Sequence, residues 1–373
     1  MNYLIDKNTI DKKSKIELEN LELDNNIKEI YIFPDFHYSS KDSIPVGTLF
    51  TSDKLYPKIT GKDTGCGVGY LKIAKKEVLK DFDKNKHYKA LYNEHLKMTP
   101  EGLGTGNHFL SLEEDKDNLY IICHTGTRNR GVAFYHKMTK LVDDYNYENK
   151  STGDYVTIEY FKNHEENLLE LYNDLLQYSR DRRFNFLIKT LDFLQKNKYV
   201  DDREYVRINN YEFLKAPTEK LYFNNYHNGM PYEYNDSIHN SFTIKDNKVI
   251  HRKGVTSFTN KDDTIVMPIS MTRGCLFVKL NYEYAYNSCS HGAGRKLSRT
   301  ETLKHWHSLK KKDKKNYEKK FEEMTERNGK LNNGYIQELD FAYKDSNDIL
   351  SYQPHIRKIT NTKPIITIKF NFN

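Results

Sequence analysis

Hydrophobic and polar positions change their rhythm three times along the chain. Ile27–Phe33 reads Ile-Lys-Glu-Ile-Tyr-Ile-Phe, rich in β-branched and aromatic residues, and predicts a strand that ends at Pro34. Val68–Ile73 has the same character with looser alternation, and Leu119–Cys123 is a short unbroken apolar run of the kind found in buried strands. Between Tyr160 and Lys198 the period lengthens. Leu168, Leu169, Leu171, Leu175 and Leu176 recur at roughly 3.6 residues and predict a helix. From Phe242 to Leu280 strand character returns, broken at Gly254, Pro268 and Gly274. The charged stretch Thr302–Arg327, with Lys310–Lys312 and Lys314–Lys315, predicts a solvated helix. Strands, then helices, then strands again argue for an α+β fold with mixed sheets. With no internal repeat and no low-complexity linker, 1–373 reads as a single domain carrying a charged helical segment near 302–327.

Composition narrows the class. The 373 residues include 29 Tyr and 19 Phe, aromatic mass enough for a sizeable core in an otherwise polar chain. No uncharged apolar run approaches the ~18 residues a membrane helix needs, and Met1–Lys13 is too charged for a signal peptide, so a cytoplasmic protein is expected. Lys and Arg total 59 against 52 Asp and Glu, a net charge of +7 that permits an anionic partner without demanding one. Cys66, Cys123, Cys275 and Cys289 lie far apart with no CxxC pair, which suits reduced thiols rather than a disulfide framework.

The candidate chemistry gathers at glycine-bearing loops. Asp63 and Cys66 stand three apart in Gly-Lys-Asp-Thr-Gly-Cys-Gly-Val-Gly, where open backbone can aim a carboxylate and a thiolate at one ion. The same stretch also reads as a tight turn around a buried cysteine. His108 lies in Gly-Thr-Gly-Asn-His-Phe, His124 follows the apolar run at Cys123, and His239 precedes Asn240. Each alone reads more readily as a hydrogen-bonded loop histidine than as a ligand; together with one Cys and one Asp they point to a metal centre, and thiolate plus imidazole suits zinc or manganese better than calcium or magnesium. The chain has no His-Glu-x-x-His and no Asp-Gly, so zincin chemistry and the lysine nucleophile of Lys-x-Asp-Gly find no support. His291-Gly-Ala-Gly-Arg295 is sharper. Two glycines beside a histidine leave room for a phosphate, Arg295 can neutralise it, and a neutral imidazole can attack phosphorus. A glycine turn with a structural histidine is the alternative. Arg128, Arg130 and Arg299 suit a phosphate or a polynucleotide end, or simply a wet surface.

In chain order these motifs resemble the RtcB family of RNA-splicing ligases. The matching blocks are Pro34-Asp-Phe-His37, Pro45-Val-Gly47, Asp63-Thr-Gly-Cys-Gly-Val68, Gly106-Asn-His-Phe109, His124-Thr-Gly-Thr-Arg128, His239-Asn240, His251-Arg-Lys-Gly254, Pro268-Ile-Ser-Met271, His291-Gly-Ala-Gly-Arg295 and Tyr343-Lys-Asp345. The resemblance implies an RNA ligase, dependent on manganese and GTP, that joins 3′-phosphate or 2′,3′-cyclic phosphate RNA ends to 5′-hydroxyl ends in tRNA splicing or RNA repair. It implies helices and sheets around a central metal-binding cleft. Asp63, Cys66, His108, His124 and His239 would hold two Mn²⁺ ions, with Cys66 bridging. His291 would become guanylylated, with Asp35 and Arg128 near the catalytic centre. Asn107, Asn240, Pro268, Ser270, Met271, Gly292, Gly294 and Lys344 would hold the nucleotide, Lys344 reaching the base.

The chain departs from the family pattern at a few positions. Ser111 stands where the family commonly has a Glu, Ile269 where it has a Gly, and Cys275 where it has a Ser. Tyr38–Lys41 replaces the usual glycines, and the chain is short for the family. Two other readings share these residues: a metallophosphoesterase acting on RNA ends, and a non-catalytic RNA-binding family member.

Overall fold

The computed structural model describes residues 1–38, 44–74, 102–104, 106–197, 232–325 and 332–369. Their elements run β1 (Asn2–Tyr3), α1 (Lys12–Leu23), β2 (Ile27–His37), β3 (Val46–Ser52), β4 (Lys54–Leu55), β5 (Gly67–Ala74), β6 (Phe109–Glu114) and β7 (Asn118–Thr125). Then come α2 (Asn129–Asn149), β8 (Val156–Thr157), α3 (Ile158–Lys162), α4 (Leu168–Lys196), β9 (Tyr232–Ile238), β10 (Asn240–Lys245), β11 (Lys248–Lys253), β12 (Val255–Ser257), β13 (Ile265–Ser270), β14 (Gly274–Leu280) and β15 (Ser288–Ser290). The chain continues through α5 (Arg299–Ser308), α6 (Lys311–Thr325), α7 (Asn333–Ile336), α8 (Ser346–Ser351), β16 (Ile356–Asn361) and β17 (Lys363–Ile368). The fold is α+β with mixed sheets.

Two five-stranded sheets, in the orders β1-β2-β3-β11-β10 and β17-β6-β7-β5-β9, form the frame. The second is covered on both faces. One face packs Leu71, Leu110, Ile121 and Cys123 against Phe186, Leu187 and Leu191 of α4. The other packs Val68, Tyr70 and Ile122 against Val266 and Phe277 of β13 and β14. A strand buried on both faces needs no alternation, which is why Leu119–Cys123 is a continuous apolar run. The first half of α4 serves a different core, where Leu168, Tyr172 and Leu175 meet Phe134, Met138 and Phe242. At 1.5 Å per residue this helix is about 43 Å long, so one element ties two cores together.

Several expected boundaries shift. β2 does not stop at Pro34 but runs to His37. The proline is tolerated because the pairing with β3 loses register between Ile32 and His37, where no ladder N–H is required. Pro268 likewise sits inside β13, next to a register shift between Pro268 and Ser270. The helical stretch from Tyr160 is two helices, α3 and α4, because Asn167 takes a left-handed conformation (φ 46°) and caps α4 with its side chain. Within α4, Leu171 faces solvent and Tyr172 takes the buried position. The charged stretch is also two helices. Ser298 and Glu301 form a capping box that starts α5, which stops before α6 begins at Lys311. Lys198, Arg327 and Ser39–Lys41 lie outside the described residues.

Candidate active site

The ends of four adjacent strands supply the histidines and the cysteine. In the ladder Phe109 pairs with His124, His124 with Val68, and Gly67 with Ile238. Residues just before β6, just before β5, near the end of β7 and just after β9 therefore reach one level. His108, Cys66, His124 and His239 are those residues. His239 is also the single residue between β9 and β10, where the chain leaves one five-stranded sheet and enters the other. Its backbone N–H donates to the Cys66 carbonyl at 2.9 Å, and its carbonyl accepts from Val255 at 3.0 Å.

The side chains converge. The Cys66 Sγ lies 3.2 Å from His108 Nε2 and 3.3 Å from His124 Nε2. These three donor atoms lie within 4.8 Å of one another and form a buried cluster that could hold a metal ion. Asp63 Oδ2 stands 3.5 Å from His108 Nε2. The rings then pass from His108 to His124 (5.1 Å between centroids), His124 to His239 (5.1 Å) and His239 to His291 (4.8 Å). Nδ1 of His108, His124 and His239 is buried without a hydrogen-bond partner among the described residues. Gly126 allows the Asp63 approach, since a β-carbon there would lie 2.6 Å from Asp63 Oδ1.

Burial and neighbouring charges set the protonation of these donors. Burial, then the neighbouring histidines, push His124 and His239 well below the ordinary imidazole value, so both rings are neutral. Burial opposes ionisation of Asp63, but His108 and Lys253 outweigh it and hold the carboxyl below its usual range. Burial and the Asp63 charge push the Cys66 thiol far up, so the thiolate needs a cation to be retained. Thiol, two imidazole nitrogens and an adjacent carboxylate are a donor set that fits a borderline divalent ion.

His291 follows β15 and is held by Asp35 of β2. Asp35 Oδ2 accepts the His291 backbone N–H at 3.1 Å and lies 2.5 Å from Nδ1. With Nδ1–H donating to Asp35, Nε2 carries the free lone pair. Gly294 makes this contact possible: its φ is +68°, and a β-carbon would stand 2.6 Å from Asp35 Cα and the Asp35 carbonyl oxygen.

A cleft of about 1340 Å³ opens over His291. Its walls include Asn107, Asn240, Pro268, Ser270, Met271, Gly292, Gly294 and Lys344, together with Asp63, Cys66, His124 and His239. Asn240, Ser270 and Lys344 are engaged with the protein itself, Ser270 through Asp340 and Arg273. Asn240 Oδ1 accepts from Gly254 N–H (2.8 Å) and its amide donates to the Asp63 carbonyl (3.2 Å), which ties the two loops together. Lys344 Nζ donates to the carbonyls of Pro34 (2.6 Å) and Phe36 (3.0 Å). Arg128 is set apart: it begins α2 at φ 55° and borders a second cavity of about 540 Å³ with Asp63, Asn107 and His108.

A family model described as "tRNA-splicing ligase RtcB" matches residues 82–370. The chain belongs to the RtcB family. No curated protein matches it. The matched span of this RtcB-family protein begins after Asp35, Asp63 and Cys66; folding brings these three to the matched His108, His124, His239 and His291.

Sequence reasoning missed three groups. Glu113, two residues past Ser111 on the same strand face, is buried in the cleft wall and accepts from Ser111 Oγ at 2.8 Å. Cys275 Sγ lies 3.5 Å from the same carboxylate. Both departures from the family pattern thus meet at a carboxylate displaced by two residues, and period-two alternation is the signal that locates it. Arg183 of α4 is fully buried and donates to the carbonyls of Gly65 (3.1 Å) and Thr125 (2.8 Å) while pairing with Asp236 (2.5 Å). Buried Glu338 accepts from Tyr343 and faces Arg295 (3.5 Å), Lys369 (3.6 Å) and Arg299 (3.9 Å). Among the described residues no helix is long and apolar enough to cross a membrane.

Proposed function

We propose that this protein is a GTP- and manganese-dependent RNA ligase that joins RNA 3′-phosphate or 2′,3′-cyclic phosphate ends to 5′-hydroxyl ends through a histidine–GMP intermediate. The observation that carries this reading is the Asp35–His291 pair at 2.5 Å beside the buried thiol–imidazole cluster.

Asp35 holds the Nδ1 proton, which leaves Nε2 of His291 as the nucleophile. Nε2 attacks the α-phosphorus of GTP, the α–β anhydride bond breaks, and pyrophosphate leaves. An oxygen of the RNA 3′-phosphate then attacks the guanylyl phosphorus, the P–N bond breaks, and His291 is regenerated. The 5′-hydroxyl attacks the activated 3′-phosphate and GMP departs. A cyclic phosphate end must first be opened by water. Asp63, Cys66, His108, His124 and His239 are the residues that would hold Mn²⁺, which supplies charge neutralisation at the phosphates when bound.

Pro268, Ser270, Met271, Gly292 and Gly294 shape the nucleotide wall, and Lys344 and Glu113 offer a donor and a carboxylate for a base edge. Arg128 and Asn107, at the second cavity, suit an RNA phosphate. The four cysteines are all free and buried, which agrees with a cytoplasmic setting. We read the chain as a single catalytic domain.

The test is incubation with α-labelled GTP and Mn²⁺, followed by a denaturing gel. The expected result is an acid-labile, base-stable protein label that is absent in His291→Ala. A label that persists in that variant, or no label in the wild type with any divalent metal, would overturn the reading.

A further inference from the structure

The family match and the site account for the cleft, but not for α6. Its inward side is clear: Phe321 packs with Met271 and Tyr335, and Tyr317 packs with Trp306 and Phe341. Its outward side carries Lys311, Lys312, Lys315 and Lys319, all exposed, with Lys310 just before it. Glu318 lies beside Lys311 on the helix surface and Glu322 lies between Lys311 and Lys315, so the face is net positive but carries two acids. Asp313 lies on the inward side.

Two other lysines of the helix are already engaged. Lys320 pairs with Asp340 at 3.4 Å, and Lys314 lies over the Trp306 ring while donating to the His307 carbonyl at 3.2 Å. Among the described residues none of Lys311, Lys312, Lys315 and Lys319 has an acidic partner within ion-pair distance. The placement also works against the helix. Lys311 and Lys312 outnumber Asp313 in its first turn, the end at which the helix dipole favours acids. An excess of positive charge left without close ion pairs is suited to an external anion.

The position of α6 says which anion. Met271, on which Phe321 packs, lines the cleft that holds His291. Arg299, the first residue of the neighbouring α5, borders both cavities. Lys311, Lys315 and Lys319 follow at intervals of one turn, about 6 Å along the axis, which suits a repeating polyanion better than a single phosphate.

We propose that the outward lysine face of α6 docks the phosphate backbone of the RNA substrate beyond the ends being joined. The choice of RNA as the polyanion rests on the ligase reading; the existence of a polyanion surface does not.

The experiment compares three proteins: wild type, Lys311→Gln/Lys315→Gln/Lys319→Gln, and a control with the same charge change, Lys140→Gln/Lys150→Gln/Lys162→Gln, on exposed positions that do not line the cleft. Binding of a 3′-phosphorylated RNA is measured by anisotropy across a salt series, and guanylylation is measured in parallel. The expected result is that the α6 variant binds RNA roughly tenfold more weakly at moderate salt. Its slope of log K against log salt falls by about 2, as loss of three single-strand phosphate contacts requires. Its guanylylation rate stays at the wild-type value, and the control keeps both affinity and slope.

Equal losses in the α6 and control variants would mean a net-charge effect and overturn the proposal. So would an unchanged α6 variant, or one that keeps RNA binding while losing retention on poly-glutamate, which would assign the face to an acidic protein partner. If the wild type takes no guanylyl label but the α6 variant still loses RNA affinity, the docking surface stands and the ligase reading falls.

Discussion

Glu113 concentrates the chemistry of a whole cleft wall in one side chain. Burial raises its carboxyl above the ordinary glutamate value of 4.5, against hydrogen bonds from Thr362, Ser111 and Cys275. The folded protein therefore keeps this proton to a higher pH than the unfolded chain does. Between 4.5 and the raised value, folding takes up a proton, so this group's contribution to stability falls as pH rises, by up to about 1.4 kcal/mol per pH unit. Glu113→Gln is a neutral isostere and lacks that dependence. Urea unfolding of both proteins from pH 4.5 upward should show the variant gaining relative stability with pH. A difference that stays constant across the series would show that Glu113 does not titrate this way.

At the scale of elements, the loop from β15 to α5 is the most constrained piece of the site. It carries His291 and then passes Gly294 over the backbone of β2. Gly294→Ala should destabilise the fold by about 1–3 kcal/mol, the usual cost of holding a side chain at such a backbone angle, and should lower guanylylation because the displaced backbone is that of Asp35. An unfolding midpoint and labelling rate equal to the wild type would contradict this. The elements were legible in the sequence where burial is simple. The apolar run at Leu119–Cys123 and the α+β order follow directly from periodicity. Pro34 and Pro268 misled because a proline reads as a break, while a local loss of register lets the strand continue. Leu171 misled because Tyr172 is the better fit to a core shared with Phe242, stacked at 3.9 Å, and only tertiary packing decides that. Asp63, Cys66 and the histidines could be nominated from residue type, but their convergence depends on strand register and on the crossing at His239, which no spacing encodes.

For the molecule as a whole, the cluster gathers the adjoining ends of β5, β6 and β7 in one sheet, with His239 beside it where the chain crosses to the other, so an ion bound there would tie these strand ends together. Mn²⁺ should raise the thermal midpoint of the wild type, equivalent to about 2.7 kcal/mol at a hundredfold excess over Kd. Cys66→Ala and His124→Ala should each lose most of that gain, as read by thermal unfolding with and without chelator. An undiminished shift in both variants would place the ion elsewhere.

Arg183 gives the frame its remaining consequence. Its one guanidinium holds the carbonyl before Cys66, the carbonyl after His124 and the carboxylate of Asp236 on the strand leading to His239. Three ligand-bearing segments thus have their places set before any ion arrives. Lysine, with three donors on one nitrogen, cannot reproduce the four bonds that the guanidinium spreads over three nitrogens. In hereditary terms the protein therefore has a point of fragility far along the sequence from its candidate ligands but directly behind them in space. A conservative exchange at a residue that is none of the candidate ligands is expected to disturb the centre, so the sequence the site depends on reaches well into a helix that looks like mere scaffolding.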